Sequence, residues 1–388
     1  MIAVVLTGLV WSTLSVTAFV LGLFVWNLTY FRRAPKVGGR DADAVENDMQ
    51  VSVLIPARNE VLRIGRLLDS VLRSEGITCE VCVLDDESED GTGGVVLEYS
   101  QKYSNVRLMP GIPVPAEWSG KQFACWQLAQ QARYPELVFL DADVTLSVDG
   151  LRRAILHRRC TNSSLLSGFP LQRVVTFGEQ LLIPLIHLIL LCFLPFRLMR
   201  TTRRVEAAAG CGQFFLTTKE AYDKSGGHSS IKKSLHDGIM LPRSYRTAGL
   251  KTDLFDASDI ATCRMYTTFS ETWSGLLKNA SEGFANMPLL PVMTLVMLLA
   301  FISPWFLAIA ALIGYVHDSL VWPIIASCVL SSLPRFICCG KYDRAWLAGL
   351  LNPISIMLFL IIQWTALLRK YRGREVEWRQ RRYEVSSP

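Results

Sequence analysis

The sequence predicts an α/β domain whose mostly parallel sheet carries helices on both faces, with transmembrane helices at the two ends of the chain. Two observations support this prediction. Between residues 51 and 140, short apolar runs alternate with amphipathic helical patterns, and this alternation is typical of βαβ units. Before and after the charged middle of the chain lie long blocks without a single Asp, Glu, Lys or Arg, and such blocks are typical of membrane helices.

The elements of the predicted sheet domain follow from local periodicity. Strands are expected where four or five mainly apolar residues run together, at residues 51–55, 80–84, 105–109 and 137–140. Helices are expected where apolar residues recur every three or four positions, at residues 61–73, 91–102 and 121–131. A further strand is expected at residues 207–216, where Gly210 and Gly212 indicate the close approach of a ligand or of another backbone segment.

The charge-free blocks define the predicted membrane regions. A helix needs roughly 20 apolar residues to cross the hydrocarbon core, and residues 1–31, 283–317 and 345–368 exceed that length. We expect residues 1–31 to be a retained N-terminal anchor rather than a cleaved signal peptide, because the block has no basic start and no small-residue cleavage site. The basic residues that follow it place the chain from Arg32 onward in the cytoplasm.

The other segments are organised around one domain at residues 51–285. Residues 32–50 are polar and contain two glycines, so we expect a linker there. Residues 180–196 are expected to form a helix in the membrane interface, with a full crossing as the alternative. Residues 286–368 are expected to form a C-terminal membrane region of two or three hydrophobic segments, followed by a basic tail at residues 369–388.

The position of the charges excludes some functions. The net charge is +6, but the excess lies mainly in the flanks of the membrane segments, so nothing indicates a nucleic-acid-binding surface. A cytoplasmic basic tail requires an even number of crossings after the domain, so either residues 319–334 are re-entrant or residues 283–317 form a hairpin.

The ten cysteines fit a reducing compartment. Cys79 and Cys82 point to opposite faces of a predicted strand, which argues against a metal or redox pair.

Polar clusters follow three of the predicted strands. They occupy residues 56–60, residues 85–90 and the segment from Asp141 to Asp143. The carboxyl ends of parallel strands meet at one edge of a sheet, where ligands bind. Asp90 is also suited to capping the next helix. Asp141 and Asp143 point to the same side because they are two residues apart, and paired carboxylates of this kind suit a hard divalent cation that bridges a diphosphate.

In these clusters the sequence resembles the family 2 glycosyltransferases, over residues 50–285. The resemblance rests on three motifs in order: VSVLIPARNE at residues 51–60, LDDESEDGT at residues 84–92 and LDAD at residues 140–143. Further stretches are similar to the membrane-bound lipid branch of the family, which includes ceramide glucosyltransferase and hopanoid-associated and carotenoid glycosyltransferases. These stretches are WSGK at 118–121, AAAGCGQ at 207–213, RMY at 264–266 and ETW at 271–273.

The resemblance implies a fold of the glycosyltransferase A type that binds a nucleotide sugar. At the matching positions, Pro56, Arg58 and Glu60 would border the nucleoside. Asp86 would hold the uracil or the ribose, and Asp85 would support that contact or the neighbouring loop.

The same resemblance implies a divalent metal and a donor-binding lysine. Asp143, with Asp141 beside it, would coordinate Mg2+ or Mn2+ on the diphosphate, and Asp141 would also take part in nucleotide-sugar binding. Lys121 would reach the donor's phosphates or its sugar. The alternative for Lys121 is a solvated lysine at the start of a helix.

The catalytic base would lie in residues 235–238 (LHDG), where the family usually has an acidic pair. His236 occupies the first of those positions, so the resemblance implies the role of base for Asp237 alone, with inversion in a single displacement. His236 would contact the acceptor, tune Asp237 or bind phosphate; an inert histidine at a helix start is the alternative.

The sequence lacks the Q-x-x-R-W motif of processive polysaccharide synthases, which favours the addition of one sugar. Trp273 is the nearest candidate platform for an acceptor, or else a core tryptophan.

Together with these observations, the resemblance implies an inverting glycosyltransferase that moves one hexose from a nucleotide sugar, expected to be UDP-linked, to a lipid acceptor. The catalytic domain would face the cytoplasm, at the inner membrane if the cell is bacterial. A transferase to polyprenyl phosphate is the alternative within enzymes, because a phosphate acceptor needs no strong base. A non-catalytic scaffold or a transporter is the alternative from another class.

Overall fold

The computed structural model describes residues 2–36, 49–280, 287, 289–372, 376–378 and 381–383. The expected linker at residues 32–50 and the expected basic tail at residues 369–388 therefore lie partly outside the described residues. The described chain forms a sheet domain and a region of apolar helices.

The strands are short, and seven of the described ones form the main sheet. Their bounds are β1 Gln50–Ala57, β2 Thr78–Asp85, β3 Val106–Pro110, β4 Glu136–Leu140, β5 Val144–Leu146, β6 Leu165–Phe169, β7 Leu171–Gln172, β8 Phe214–Thr218, β9 Thr252–Asp256, β10 Ala261–Cys263, β11 Val376–Trp378 and β12 Arg381–Tyr383. The main sheet has the order β3-β2-β1-β4-β8-β6-β9, a small sheet has the order β5-β10-β7, and β11 pairs with β12.

The helices fall into those of the sheet domain and those of the apolar region. The first group is α2 Ile64–Leu72, α3 Thr92–Lys102, α4 Gly120–Gln131, α5 Gly150–Thr161, α9 Lys219–Ser225, α10 Asp237–Thr247 and α11 Phe269–Ala280. The second group is α1 Ile2–Tyr30, α6 Phe177–Leu182, α7 Leu185–Phe193, α8 Phe196–Thr201, α12 Leu289–Met297, α13 Ser303–Leu312, α14 Val321–Cys338, α15 Trp346–Leu350 and α16 Asn352–Tyr371.

The predicted fold class is confirmed by strand pairing and by packing on both faces of the sheet. β1 pairs in parallel with β2 and β4, and β2 pairs in parallel with β3, whereas β8 is antiparallel to both of its neighbours. On one face, Val53 and Ile55 of β1 belong to the same core as Leu67 of α2. On the other face, Leu54 belongs to the same core as Leu128 of α4. This alternation follows from the two-residue period of a strand.

The prediction of a strand over residues 207–216 is wrong in its first half. The strand in this region is β8, which begins at Phe214, and it is preceded by a 3-10 turn at Val205–Ala207 and a loop. The glycines lie in that loop. The amide of Gly210 donates to the carbonyl of Gly238 at 2.7 Å, so the expected close approach of another backbone segment is present, but it comes from α10 and not from a sheet neighbour.

The single helix expected over residues 180–196 is divided into α6, α7 and α8. Pro184 directly precedes α7 and Pro195 directly precedes α8. Proline has no N–H and cannot continue a preceding helix, so the apolar segment is interrupted at both positions. The side chain of Asn27 in α1 satisfies two of the carbonyls at the end of α7, donating to Leu191 at 2.8 Å and to Leu194 at 2.9 Å. The N-terminal helix is thereby fixed to the broken apolar segment.

In the described chain, four helical segments are long and apolar enough to cross a membrane. They are Ala3–Tyr30, Leu289–Leu312, Asp318–Tyr342 and Asn352–Tyr371. The hairpin considered for residues 283–317 is wrong for the described part of that block, because Leu289–Leu312 is one helical segment. The segment that contains residues 319–334 has 25 residues, which is more than a crossing requires.

A buried carboxylate fastens two of these helices to the edge of the sheet. Asp256, at the end of β9, is fully buried. Its amide donates to the carbonyl of Arg32 at 2.9 Å, and its carboxylate lies 3.0 Å from the ammonium of Lys341 and 3.7 Å from the guanidinium of Arg33. The chain that leaves α1 therefore covers the sheet edge, and the end of the Asp318–Tyr342 segment meets it there.

Candidate active site

The carboxyl ends of β1 and β4 and the loop after β2 open into one cavity of about 630 Å3. The register that pairs Pro56 with Leu84 brings the ends of β1 and β2 level, as expected for ligand sites in parallel sheets. Most of the residues predicted from the sequence line this cavity. They are Pro56, Arg58, Glu60, Asp86, Lys121, Asp141, Asp143, His236 and Asp237.

The loop after β1 is fixed to the loop after β2. Arg58 donates to the backbone carbonyl of Asp86 at 2.7 Å, and the amide of Glu60 donates to the hydroxyl of Thr92 at 2.8 Å. Asp86 is buried, with only 7% of its surface exposed. These contacts hold Arg58, Glu60 and Asp86 together at the side of the cavity expected to take the nucleoside.

Asp85 and Asp90 are not lining residues of the cavity but supports of the loop. Asp85 accepts a hydrogen bond from the amide of Ser88 at 3.1 Å, which fits the second of the two roles expected for it. Asp90 accepts hydrogen bonds from the amides of Val61 and Thr92, both at 3.0 Å. The expected N-cap role of Asp90 is wrong, because the N-cap of α3 is Gly91; Asp90 instead accepts from the amide of Thr92, the first residue of the helix, from the position before the cap.

Lys121 occupies the centre of the site. Its ammonium lies 2.6 Å from the carboxylate of Asp141 and 2.9 Å from that of Asp237, and it donates to the carbonyl of Gly212 at 3.3 Å. The alternative of a solvated lysine at a helix start is therefore wrong. The ammonium of Lys121 therefore lies between Asp141 and Asp237, the predicted base.

This ion pair sets the protonation of the predicted base. Burial opposes the ionisation of Asp237, but the charge and hydrogen bond of Lys121 outweigh it and lower the pKa of Asp237 to about 2. Burial likewise works against the charge of Lys121, and the two carboxylates raise its pKa well above the usual value. Asp237 is therefore ionised at neutral pH and is a weak base while Lys121 contacts it.

Asp143 differs from Asp141 and Asp237 because no cation among the described residues forms an ion pair with it. Its Oδ1 atom is buried, and no described residue donates a hydrogen bond to it. Burial, reinforced by the negative charges of Asp141 and Glu60, raises the pKa of Asp143 to about 7. A buried carboxylate oxygen of this kind fits a bound cation.

The residues present suit a metal that is held jointly with the donor. Among the described residues, no group of three or more His, Cys, Asp or Glu side chains forms a metal cage. Mg2+ in phosphate-handling sites is usually held by one or two carboxylates and completes its shell with phosphate oxygens and water. Asp143 and Asp141 supply that number of carboxylates.

The loop that contains Gly210 and Gly212 holds Asp237 in place. Asp237 begins α10 and His236 directly precedes that helix. A Cβ atom built on Gly212 would lie 2.0 Å from Oδ1 of Asp237, so only glycine leaves room for the carboxylate. His236 lines the cavity, and its charge is one of the factors that lower the pKa of Asp237.

The far side of the cavity is apolar and comes from the helical region. Its wall is made by α7, α11, α12 and α16, and the residues are Ile186, Ile189, Leu190, Phe193, Leu276, Leu289, Met293 and Phe359. Trp273 is not among the lining residues. It packs beside Phe269, with ring centroids 6.0 Å apart, and against the apolar core of the helical region. The expected acceptor platform is therefore absent at Trp273, and Tyr266 is the aromatic residue of this region that lines the cavity.

Two basic residues of the cavity were not predicted. Arg243, on α10, and Lys278, on α11, both line it. For Arg243, the sequence offered no signal, because residues six apart, as Asp237 and Arg243 are, lie on different faces of a helix. For Lys278, nothing in the local sequence separates it from a solvated lysine on an amphipathic helix.

Sequence comparisons with known proteins point to the same family as the motifs at the sheet edge. Residues 52–226 match the model of glycosyl transferase family 2. The 4,4'-diaponeurosporenoate glycosyltransferase of Staphylococcus aureus is 27% identical over 351 residues, which cover 88% of this chain and 90% of the relative. The family resemblance seen in the sequence is thereby confirmed.

Two solved structures are among those found to be similar to this chain. A mannosyltransferase from Pyrobaculum calidifontis, in complex with GDP-Man and Mn2+, has a TM-score of 0.48 and 15% identity, over 93% of this chain and 99% of that one. Residues 1–349 of S. aureus TarS, in complex with UDP, have a TM-score of 0.39 and 14% identity, over 88% of this chain and 98% of that one.

Proposed function

Because the chain is a glycosyltransferase with a family 2 domain over residues 52–226, we propose that it transfers one hexose from a UDP-sugar to a lipid at a membrane surface. The observation that supports this best is the single cavity, which joins the carboxylates at the sheet edge to an apolar wall made by membrane-type helices. A polar donor suits the first part and a lipid the second. Holding both reactants in one place removes much of the entropic barrier to transfer.

The donor would lie along the sheet edge. Arg58 and Asp86 would border the nucleoside, and Lys121 would lie beside the diphosphate or the sugar. Asp143 and Asp141 would hold a divalent cation, which neutralises the charge that develops on the departing diphosphate. The buried, unpaired oxygen of Asp143 supports this role.

For a hydroxyl acceptor, Asp237 is the group placed to take the proton. The acceptor oxygen forms a bond to the anomeric carbon while the bond to the diphosphate oxygen breaks, and the proton passes to the carboxylate of Asp237. One displacement inverts the configuration of the sugar. The position of Asp237 in the cavity, at the start of α10, supports this assignment.

A second candidate acceptor is a lipid whose oxygen is already ionised, as in polyprenyl phosphate. The ion pair between Lys121 and Asp237 favours it, because a carboxylate held at 2.9 Å from an ammonium is a weak base. The relative from S. aureus is named for an acidic lipid, 4,4'-diaponeurosporenoate. An ionised acceptor attacks without losing a proton, so it needs no base.

The proposed site of the reaction is the cytoplasmic face of a membrane. Four segments of the described chain could span a bilayer, and Arg32 and Arg33 directly follow the first. Basic residues beside a span favour the cytoplasmic side. The fully buried Asp256 ties that basic segment to the sheet, so the cavity would lie close to the same surface.

The experiment that tests the function uses membranes containing the full chain, a panel of radiolabelled UDP-sugars and identification of the labelled lipid. We expect Asp143→Asn to lower transfer at least about 100-fold, since it removes a cation ligand. Asp237→Asn should lower transfer to a hydroxyl by about 100- to 10,000-fold but have a much smaller effect with an ionised acceptor. Asp223→Asn, at an exposed position of α9, is the matched control. Full activity in both site variants would overturn the assignment.

A further inference from the structure

Arg243 is a cation of the cavity whose charge is not matched by any of the residues that the structure describes. Its Nε atom is buried, and its guanidinium makes no hydrogen bond or ion pair with any described residue. Arg246, one turn further along α10, shows the contrast. Its guanidinium donates to the hydroxyl of Thr252 at 2.7 Å and to the carbonyls of Thr202 and Arg204 at 3.0 and 3.1 Å. Arg246 is therefore a structural arginine, and Arg243 lacks the partners that would make it one.

The position of Arg243 directs it toward the reacting end of the cavity. Ile239 and Arg243 both line the cavity, and their spacing of four residues places them on one face of α10. Helical side chains lean toward the N-terminus of their helix. Asp237, which lines the same cavity, lies in that direction at about 9 Å of helix rise from Arg243.

The charges around Arg243 leave it in need of an anion. Lys278 lines the same cavity and acts on Asp141 as a positive charge. The carboxylate of Asp237 is engaged by Lys121. Glu206 also lines the cavity, but it is an exposed residue and forms no ion pair with Arg243 in the described structure. A partly buried guanidinium without a counter-charge is costly, and a ligand anion would remove that cost.

We propose that Arg243 binds the anionic head group of the acceptor lipid, a carboxylate or a phosphate, beside the anomeric carbon of the donor. The inference rests on the proposed function and narrows its acceptor to the ionised class. Guanidinium groups bind both anions through paired N–H donors. The apolar wall of Ile189, Leu190 and Phe193 would take the lipid chain next to the head group.

The transfer step balances without a base. One oxygen of the head group forms the new bond to the anomeric carbon, and the bond between that carbon and the diphosphate oxygen breaks. The electron pair of the broken bond stays on the nucleoside diphosphate, and the negative charge passes from the acceptor to the leaving group. Asp237 then serves to hold Lys121 beside the donor rather than to accept a proton.

The test uses the full chain in nanodiscs with three probes that share one polyene chain: retinoic acid, retinyl phosphate and retinol. We expect the wild-type protein to bind at least one anionic probe about 10- to 100-fold more tightly than retinol, as a charged hydrogen bond predicts. Arg243→Gln should abolish that preference while leaving the affinity for retinol and for UDP unchanged. Arg243→Lys should restore part of it. Arg203→Gln, at an exposed position that does not line the cavity, is the matched control.

The outcomes separate the sources of the anion and the two proposals. A preference for the acid or for the phosphate identifies the head group. Retinol bound as tightly as both anionic probes, or a preference that survives Arg243→Gln, would overturn the role of Arg243. Sugar transfer from labelled UDP-sugars to the same probes is measured separately. Selective binding without transfer would count against the proposed function and leave the anion site standing.

Discussion

Replacing Gly212 by alanine is the sharpest test of how the site is built. The backbone of Gly212 is not in the left-handed region, so alanine is conformationally allowed and only space opposes it. The added Cβ would lie 2.0 Å from Oδ1, 2.7 Å from Cγ and 3.0 Å from Oδ2 of Asp237. Because real Cβ contacts are essentially never shorter than 3.0 Å, the carboxylate must move by at least about 1 Å.

A movement of that size changes the reaction more than the fold. Asp237 would leave the ammonium of Lys121, which it now contacts at 2.9 Å, and Lys121 also binds the carbonyl of Gly212. A displacement of about 1 Å in a reacting group costs roughly 100-fold in rate. We therefore expect Gly212→Ala to lower kcat about 100-fold with a hydroxyl acceptor, from which Asp237 takes the proton, and by less with an ionised acceptor. The affinity for UDP should stay within about 3-fold, since Arg58 and Asp86 are untouched.

The assay compares transfer rates from a radiolabelled UDP-sugar with UDP affinity measured by calorimetry. Gly94→Ala is the control, because a Cβ at Gly94 in α3 meets nothing within 4 Å. That control should retain full activity and gain up to about 1 kcal/mol in free energy of unfolding. Wild-type kcat in Gly212→Ala would refute the reasoning, because it would mean that Asp237 need not stay where the structure places it.

Three further predictions concern the contacts that hold the site against the helical region. Arg246→Met should lower the free energy of unfolding by about 2–4 kcal/mol, measured as a lower Tm. The reason is that the backbone and side-chain acceptors of Arg246, among them the carbonyl of Thr202, lose their hydrogen-bond donor. Asp256→Asn should cost about 2–3 kcal/mol at pH 7, less than a fully buried pair because Lys341 is 29% exposed. The cost should shrink with acidification. Burial alone would raise the pKa of Asp256, but the charge of Lys341 outweighs burial and lowers that pKa below its usual value. The wild type therefore loses the stability of this ion pair as the pH falls through the lowered pKa. Asn27→Leu should lower Tm by releasing α1 from α7, whereas an unchanged Tm would show that those hydrogen bonds add nothing.

The sheet and its functional edge could be predicted from the sequence because they depend on local signals. The apolar run at residues 51–55 and the helical spacing at residues 61–73 each lie within one element, and the structure has β1 and α2 there. The edge then follows from a general property of parallel sheets. Asp86 and Asp143 were assigned to one site in this way, although 56 positions separate them in the chain.

The contacts inside the site could not be predicted, because they depend on segments that meet only in the folded chain. Lys121 is a lysine at a helix start by its local sequence, and its two carboxylate partners come from β4 and α10. The glycine-rich segment runs directly into β8, and no local signal marks Phe214 as the residue at which the strand begins. Trp273 faces the apolar core because its helix packs there, and no periodicity distinguishes that side from the cavity.

The distribution of unmatched charge supports a binding site for two ligands of opposite sign. Lys121 contacts both Asp141 and Asp237. Among the described residues, Asp143 is then a buried carboxylate without a direct cation, and Arg243 is a partly buried cation without an anion. The two do not pair with each other, so the folded protein carries both costs until ligands remove them. A divalent cation with the donor would satisfy Asp143, and an ionised acceptor would satisfy Arg243. The same cavity therefore favours the simultaneous presence of both substrates, which is the state from which transfer occurs.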